Sequence, residues 1–125
     1  MYATQKAYSQ AGNAYKTNEI MTASAKKLVI MLYEGAVKFL KLAKLSMADG
    51  NIEKTHQSIV KAQNILTELM STLNFEEGGD IAKNLMALYE YMYQKTIRAN
   101  VEKNPEHLDE VITFLEDLRD TWNQL

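Results

Sequence analysis

The sequence predicts an all-α chain, an antiparallel up-and-down four-helix bundle with a mobile N-terminal arm. Three observations carry that expectation. Apolar residues recur at three- and four-residue spacing in four separate stretches. The breaks between them are short and rich in Gly, Asn and Asp. No stretch shows the two-residue alternation of a half-buried strand. Short connections make successive helices neighbours. At 125 residues the chain is the size of one domain, and 46% hydrophobic residues is enough for a core. The boundary falls between an arm over 1–21 and a bundle over 22–125.

The arm, MYATQKAYSQAGNAYKTNEIM, is polar and Gln-bearing, with Tyr2, Tyr8 and Tyr15 set among Ala, Ser and Asn. It has no sustained periodicity, the composition of a mobile segment. Tyr15, Ile20 and Met21 are larger than a linker requires, so the arm is expected to dock on the bundle as a lid.

The rest of the chain is organised around Thr22–Met47. Thr22 and Ser24 are good N-cap residues, the helix begins near Ser24, and Ala48-Asp49-Gly50-Asn51 ends it with a Gly stop. At about 100° per residue, Leu28, Leu32, Gly35, Phe39 and Ala43 fall on one face and are assigned to the core. Val29, Tyr33, Val37, Leu40 and Met47 form a second stripe about 100° further round, and Glu34, Lys38 and Lys41 hold what remains. A surface helix ordinarily spares an apolar arc of about 100° or somewhat more. This helix has more than one core can use.

The second helix, from about Ile52 to Leu73, places Ile52, Ile59, Ala62, Leu66, Leu69, Met70 and Leu73 on one face. Asn74-Phe75-Glu76-Glu77-Gly78-Gly79 then breaks the helix, because paired glycines are poor helix formers, and Asp80 caps the next one. The third helix runs from Ile81 to about Val101, with Ile81, Leu85, Leu88, Tyr89 and Met92 as its core row. Ala82, Met86, Tyr93 and Ile97 make a second row about 100° away. Asn104-Pro105 is an N-cap followed by Pro at the first helical position, and Leu108, Val111, Ile112, Leu115, Leu118 and Trp122 align on one face of the last helix. Its outer face is acidic.

Composition excludes several classes. Without cysteine there is no disulfide framework and no thiolate metal or redox site, which fits a reducing cytosol. The first twenty residues lack the apolar run of a signal peptide, and Leu28–Tyr33, the longest such run, is far below the roughly 20 residues that span a bilayer. The expectation is a cytosolic protein. A net charge of −2 argues against a general nucleic-acid binder, but residues 1–63 carry nine Lys against four acids (+5) and residues 64–125 five Lys or Arg against twelve acids (−7). Either complementary helices pack within one bundle, or the basic half carries a partner-binding patch.

Catalytic and metal sites are not expected, and no cofactor is implied. Glu53-Lys54-Thr55-His56 is one E-x-x-H where a di-iron bundle needs two, with inward Glu from two further helices. His56 also lacks the Lys and Gly that come after the histidine of phosphotransfer domains. His107 lies in the first turn of the last helix, where a cation is disfavoured by the helix dipole. No nucleophile with an acid/base partner and no phosphate-binding Gly loop is present. The surplus stripes point instead to a groove for an amphipathic peptide, since Tyr suits a surface that is alternately covered and wet, and Met adapts to varied partners. The expected lining is Val29, Tyr33, Val37 and Leu40 with Met86, Tyr93 and Ile97.

The residues also resemble a known family. Ala14-Tyr15, Thr22-Ala23-Ser24, Met31-Leu32-Tyr33-Glu34-Gly35-Ala36 and Phe39-Leu40 resemble the signature of the bacterial flagellar secretion chaperone family FliS. Lys61-Ala62-Gln63, Ile65, Glu68-Leu69, Thr72-Leu73-Asn74, Gly78-Gly79, Ile81-Ala82, Asn84-Leu85, Leu88-Tyr89, Tyr91, Ala99-Asn100, Arg119 and Trp122 continue it, from residue 14 to 122. The chain departs at Ala25, where the family usually has Pro, at Glu34, usually Asp, and near Thr96, usually aliphatic. The resemblance implies a non-enzymatic cytoplasmic chaperone, working without ATP, that binds the disordered C-terminal segment of flagellin. That segment would become partly helical along the bundle. Binding would block premature filament assembly, and the loaded complex would dock on the flagellar export gate. A monomer is expected, without nucleic-acid binding or membrane insertion. A scaffold that binds a regulator through the acidic fourth helix is the alternative.

Overall fold

The computed structural model describes residues 23–125, with side chains from Ala25 onward. The arm, including the expected lid residues Tyr15 and Ile20, lies outside the described residues. Four helices make up the described chain: α1 (Ala23–Ala48), α2 (Ile52–Ser71), α3 (Phe75–Glu102) and α4 (Pro105–Gln124). The described residues contain no strand, so the all-α class holds. They divide into two compact units. One comprises Thr67–Glu90 with α1 as far as Val29, and the other Ile30–Leu66 with Tyr91–Leu125.

The helix ends sit where local chemistry directs them. Gly50 adopts φ 71°, a left-handed conformation open to glycine without a Cβ penalty. Its N–H donates to the Met47 carbonyl at 3.0 Å and the Asn51 N–H to Ser46 at 2.9 Å, the paired bonds of a Schellman stop. Asn51 then caps α2, its side-chain oxygen accepting the Lys54 N–H at 3.0 Å. At the start of α4, Asn104 is extended (φ −105°, ψ 110°) and accepts the Glu106 N–H at 3.0 Å, with Pro105 next in line.

The Asn74–Gly79 break is narrower than expected. Asn74 accepts the N–H groups of Glu76 and Glu77 at 3.0 and 3.1 Å, which caps a helical turn directly after it. Only Gly79 (φ 51°, ψ −127°) is non-helical, so α3 begins at Phe75 with a kink there. One capping side chain outweighs the paired glycines.

The unit of Ile30–Leu66 and Tyr91–Leu125 contains a part of every helix and is an antiparallel bundle in its own right. Between α1 and α2, Gly35 lies against Ile65 and Phe39 against Lys61. Between α2 and α3, Gln63 donates to the Thr96 hydroxyl at 3.1 Å and His56 meets Asn100 at 2.8 Å. Between α3 and α4, Lys95 pairs with Glu110 at 3.1 Å, and α4 returns to α1 through Lys41–Glu116 at 3.3 Å and Lys44–Asp109. In each pair of helices the numbers run in opposite senses. Each helix therefore neighbours its successor, and the fourth neighbours the first, as short loops require.

Its core alternates at three- and four-residue spacing: Tyr33, Ala36, Val37, Leu40 and Ala43 from α1, Ile59, Ala62 and Leu66 from α2, Met92 and Ala99 from α3, and Leu108, Val111, Ile112 and Leu115 from α4. Thr96 is buried as well. Its hydroxyl donates to the Tyr93 carbonyl at 2.6 Å while accepting from Gln63, which satisfies the buried polar group. In the other unit, Ala25, Val29, Leu69, Leu73, Ala82 and Tyr89 are buried. Beyond α1, two residues assigned to core rows are instead exposed. Ile52 is the first residue of α2 and Ile81 the second after the Gly79 kink, and both stand in solvent at a helix start.

The α3–α4 tie also responds to pH. The Tyr91 hydroxyl donates to Glu110 at 2.9 Å. This bond, and after it the one from Lys95, holds the Glu110 carboxyl below its usual range. The same bond raises the Tyr91 hydroxyl above its own. A depressed carboxylate stabilises the fold fully above its unfolded value and loses that contribution as pH falls through the folded one. Glu110→Gln is therefore expected to lower the urea midpoint at pH 7, with the difference from wild type shrinking as pH is taken below about 4. In the same assay Asn104→Ala should cost about 1 kcal/mol. Leu40→Ala, fully buried, should cost about 2 to 5 kcal/mol, whereas Leu45→Ala, 63% exposed, should stay within about 0.5 kcal/mol.

Candidate functional site

Helix α1 carries two apolar stripes, and their roles are the reverse of those expected. Val29, Tyr33, Val37 and Leu40 are core: Tyr33 and Leu40 have no exposed surface at all. They cannot line a groove. Of the assigned core row, Ala43 is buried as expected, but Leu28, Leu32, Gly35 and Phe39 lie outward as half-buried or exposed residues. They are joined by Met31 at 55% exposed, Leu42 at 40% and Leu45 at 63%. The surplus of apolar surface is real, and it sits on the other stripe.

Within the unit that begins at Ile30, this outer stripe borders α2. A Cβ added at Gly35 would come within 3.2 Å of Ile65 Cδ1, so the absence of a side chain there lets the two helices close. Next along, Phe39 has the ammonium groups of Lys38 and Lys61 at 5.4 and 5.3 Å from its ring centre. Further along still, beside the turn that joins the two helices, lies an open pocket of about 330 Å³. Leu42 and Leu45 supply its apolar wall. Ser46, Asp49, Asn51, Lys54, Gln57, Ser58 and Lys61 supply the polar one. The face combines an apolar row with hydroxyls, amides and two lysines, which suits an extended amphipathic ligand better than a compact one.

The remaining expected groove residues lie on α3. Tyr93 is half-buried and Ile97 is 37% exposed. Both fall on the side of α3 that meets α2, since Thr96 and Asn100 beside them bond Gln63 and His56. Met86 is half-buried in the other unit. Ala82, the remaining residue of that second row, is buried.

Met31, Leu42 and Leu45 were not among the expected site residues. The signal that finds them is carried by small side chains. Ala25, Ala36 and Ala43 lie on the side of the α1 wheel opposite Glu34, Lys38 and Lys41, and all three are buried. Alanines weigh little in a hydrophobicity count, but they mark where another helix comes close.

The titratable groups form structural ties. His56 Nδ1 is 2.8 Å from the Asn100 amide nitrogen, and the Asn100 oxygen accepts from Lys103 Nζ at 2.6 Å. His107 Nε2 lies 2.9 Å from Glu102, and this bond is the main cause of a lowered Glu102 carboxyl. Among the described residues no three His, Asp or Glu side chains gather as a metal site. No helix there is long and apolar enough to cross a membrane.

Comparison with known proteins agrees with this all-helical architecture. The family described as flagellar protein FliS matches residues 7–125. The flagellar secretion chaperone FliS of Bacillus subtilis is 36% identical over 111 residues, 89% of this chain and 82% of that one. Its counterpart in Vibrio cholerae is 38% identical over 108 residues (86% and 79%), and that of Salmonella typhimurium 33% over 121 residues (96% and 87%). A crystal structure of a flagellar chaperone from bacteria superposes with a TM-score of 0.77 at 23% identity, covering 92% of this chain and 94% of its own. With the family pattern matched over nearly its whole length, the chain belongs to the flagellar protein FliS family.

Proposed function

We propose that this chain holds the C-terminal segment of newly made flagellin in the cytoplasm and presents the complex to the flagellar export gate. Family membership makes it a flagellar secretion chaperone and not an enzyme. The outer stripe of α1 with the adjoining side of α2 is the surface we assign to the flagellin segment, and Tyr93 and Ile97 on α3 extend it.

One observation carries the assignment. Met31, Leu42 and Leu45 are exposed in a row with half-buried Leu32 and Phe39, on a helix whose other stripe already fills the core. Burying a side chain of that size from full exposure is worth about 1.5 to 3 kcal/mol. Ordering each residue of a disordered partner costs about 1 to 2 kcal/mol. Per helical turn this sets about 1.5 to 3 kcal/mol of burial against roughly 4 to 7 kcal/mol of ordering, so the matching burial on α1 and the segment's own helical hydrogen bonds must supply the rest, and none of these contributions needs ATP. Covering the same residues in flagellin would block their use in filament contacts. The acidic α4 is a poorer docking surface for a regulator, because Asp109, Glu110 and Glu116 are already paired with lysines of α1 and α3.

The test is titration with a synthetic flagellin C-terminal peptide, monitored by far-UV circular dichroism and calorimetry. The peptide is expected to gain helicity on binding. Leu45→Asp and Met31→Asp should each weaken binding about 10-fold or more, with thermal stability unchanged. A peptide that gains no helicity, or that binds both variants as well as wild type, would overturn the assignment.

A further inference from the structure

Within the unit that begins at Ile30, the lysines of α1 and α2 fall into two classes. Those of α1 that face α4 are neutralised within the chain: Lys41 pairs with Glu116 at 3.3 Å, and Lys44 pairs with Asp109. Glu34 on the same side contributes to the charge environment of Arg119 on α4. Lys38, Lys54 and Lys61 lie toward the exposed apolar stripe and have no acidic partner among the described residues. Lys38 and Lys61 are drawn to the ring of Phe39, and Lys54 and Lys61 line the pocket walled by Leu42 and Leu45, where Asp49 is the acid among the lining residues.

We propose that this face reads carboxylates in its partner. The occupant is an amphipathic helical segment whose apolar row lies on Met31, Phe39, Leu42 and Leu45, and whose Asp or Glu side chains meet Lys38, Lys61 and Lys54. The inference rests on the flagellin reading above and adds the charge pattern by which the segment is recognised. Two cations on one aromatic ring repel each other and are relieved by an anion placed beside both. The ring also holds the long lysine side chains in place, which reduces the entropy lost when they pair. Charges at the rim of an apolar contact set register and exclude partners of the wrong sign more than they add affinity. A basic rim along one side of the stripe therefore fixes which way round an amphipathic helix can lie.

The experiment uses the full chain and a fluorescent flagellin C-terminal peptide, with anisotropy read from low to high NaCl. Wild-type affinity should fall as salt rises. The double variant Lys54→Gln/Lys61→Gln should lose roughly 5- to 20-fold at low salt and show a flatter salt dependence, whereas Lys41→Gln stays within about two-fold. A peptide with its Asp and Glu replaced by Asn and Gln should bind wild type and double variant alike, closing the thermodynamic cycle. If wild type binds the peptide with no salt dependence and the double variant binds equally well, the carboxylate reading is overturned while the flagellin reading stands. Failure of wild type to bind at any salt overturns both.

Discussion

A helix in a four-helix bundle can turn only one face inward, because its two neighbours already occupy the flanks of that face. Helix α1 has apolar residues over more of its circumference than this allows. Tyr33, Ala36, Val37 and Leu40 take the inward position, which leaves Met31, Phe39, Leu42 and Leu45 at or near the surface. The exposed row is therefore a consequence of the core and not a local defect: removing it would leave the interior intact, and filling the interior does nothing to cover it. A folded chaperone for an unfolded client needs this separation, since its binding surface must stay open while its own core stays closed.

The charge asymmetry of the chain respects the same division. Residues 1–63 carry an excess of five positive charges and the remainder an excess of seven negative ones. Part of this is neutralised inside the bundle, where α4 supplies Asp109 and Glu116 to Lys44 and Lys41. Such exposed pairs add little stability individually. They choose which helix lies beside which, and so help close α4 against α1. Lys38, Lys54 and Lys61 collect instead on the α1–α2 side, next to the apolar row. Complementary packing accounts for Lys41 and Lys44, and the partner-binding patch is the reading proposed for Lys38, Lys54 and Lys61.

The helix count, the Gly50 stop, the Asn104-Pro105 start and the α4 core row from Leu108 to Leu115 were legible in the sequence, because each depends on local chemistry, whereas Leu118 and Trp122 of that row are only half-buried. Which α1 stripe faces inward was not legible. Both stripes have aliphatic and aromatic residues at helical spacing, and hydrophobicity alone cannot rank Leu28, Leu32 and Phe39 against Val29, Tyr33 and Leu40. The buried face takes Val29, Tyr33, Val37 and Leu40 together with Ala36 and Ala43, which lie between the two stripes, so the inward face is displaced toward the second stripe by packing that hydrophobicity does not encode. A similar limit hid Ile52 and Ile81, whose positions continue a core row by periodicity but lie at helix starts exposed to solvent. The Phe75–Gly78 turn was hidden by its glycines, although Asn74 in front of it is a strong cap.

The chain has no cysteine, so single thiols introduced into α1 report accessibility without background. Rates of thiol alkylation in the native protein should be near those of a free thiol for Met31→Cys, Leu42→Cys and Leu45→Cys, and should fall on addition of the flagellin peptide. Val37→Cys and Leu40→Cys should react only as fast as the protein unfolds. Fast labelling at 37 and 40 with protection at 31, 42 and 45 would contradict the account, because it would return the outward stripe to the core.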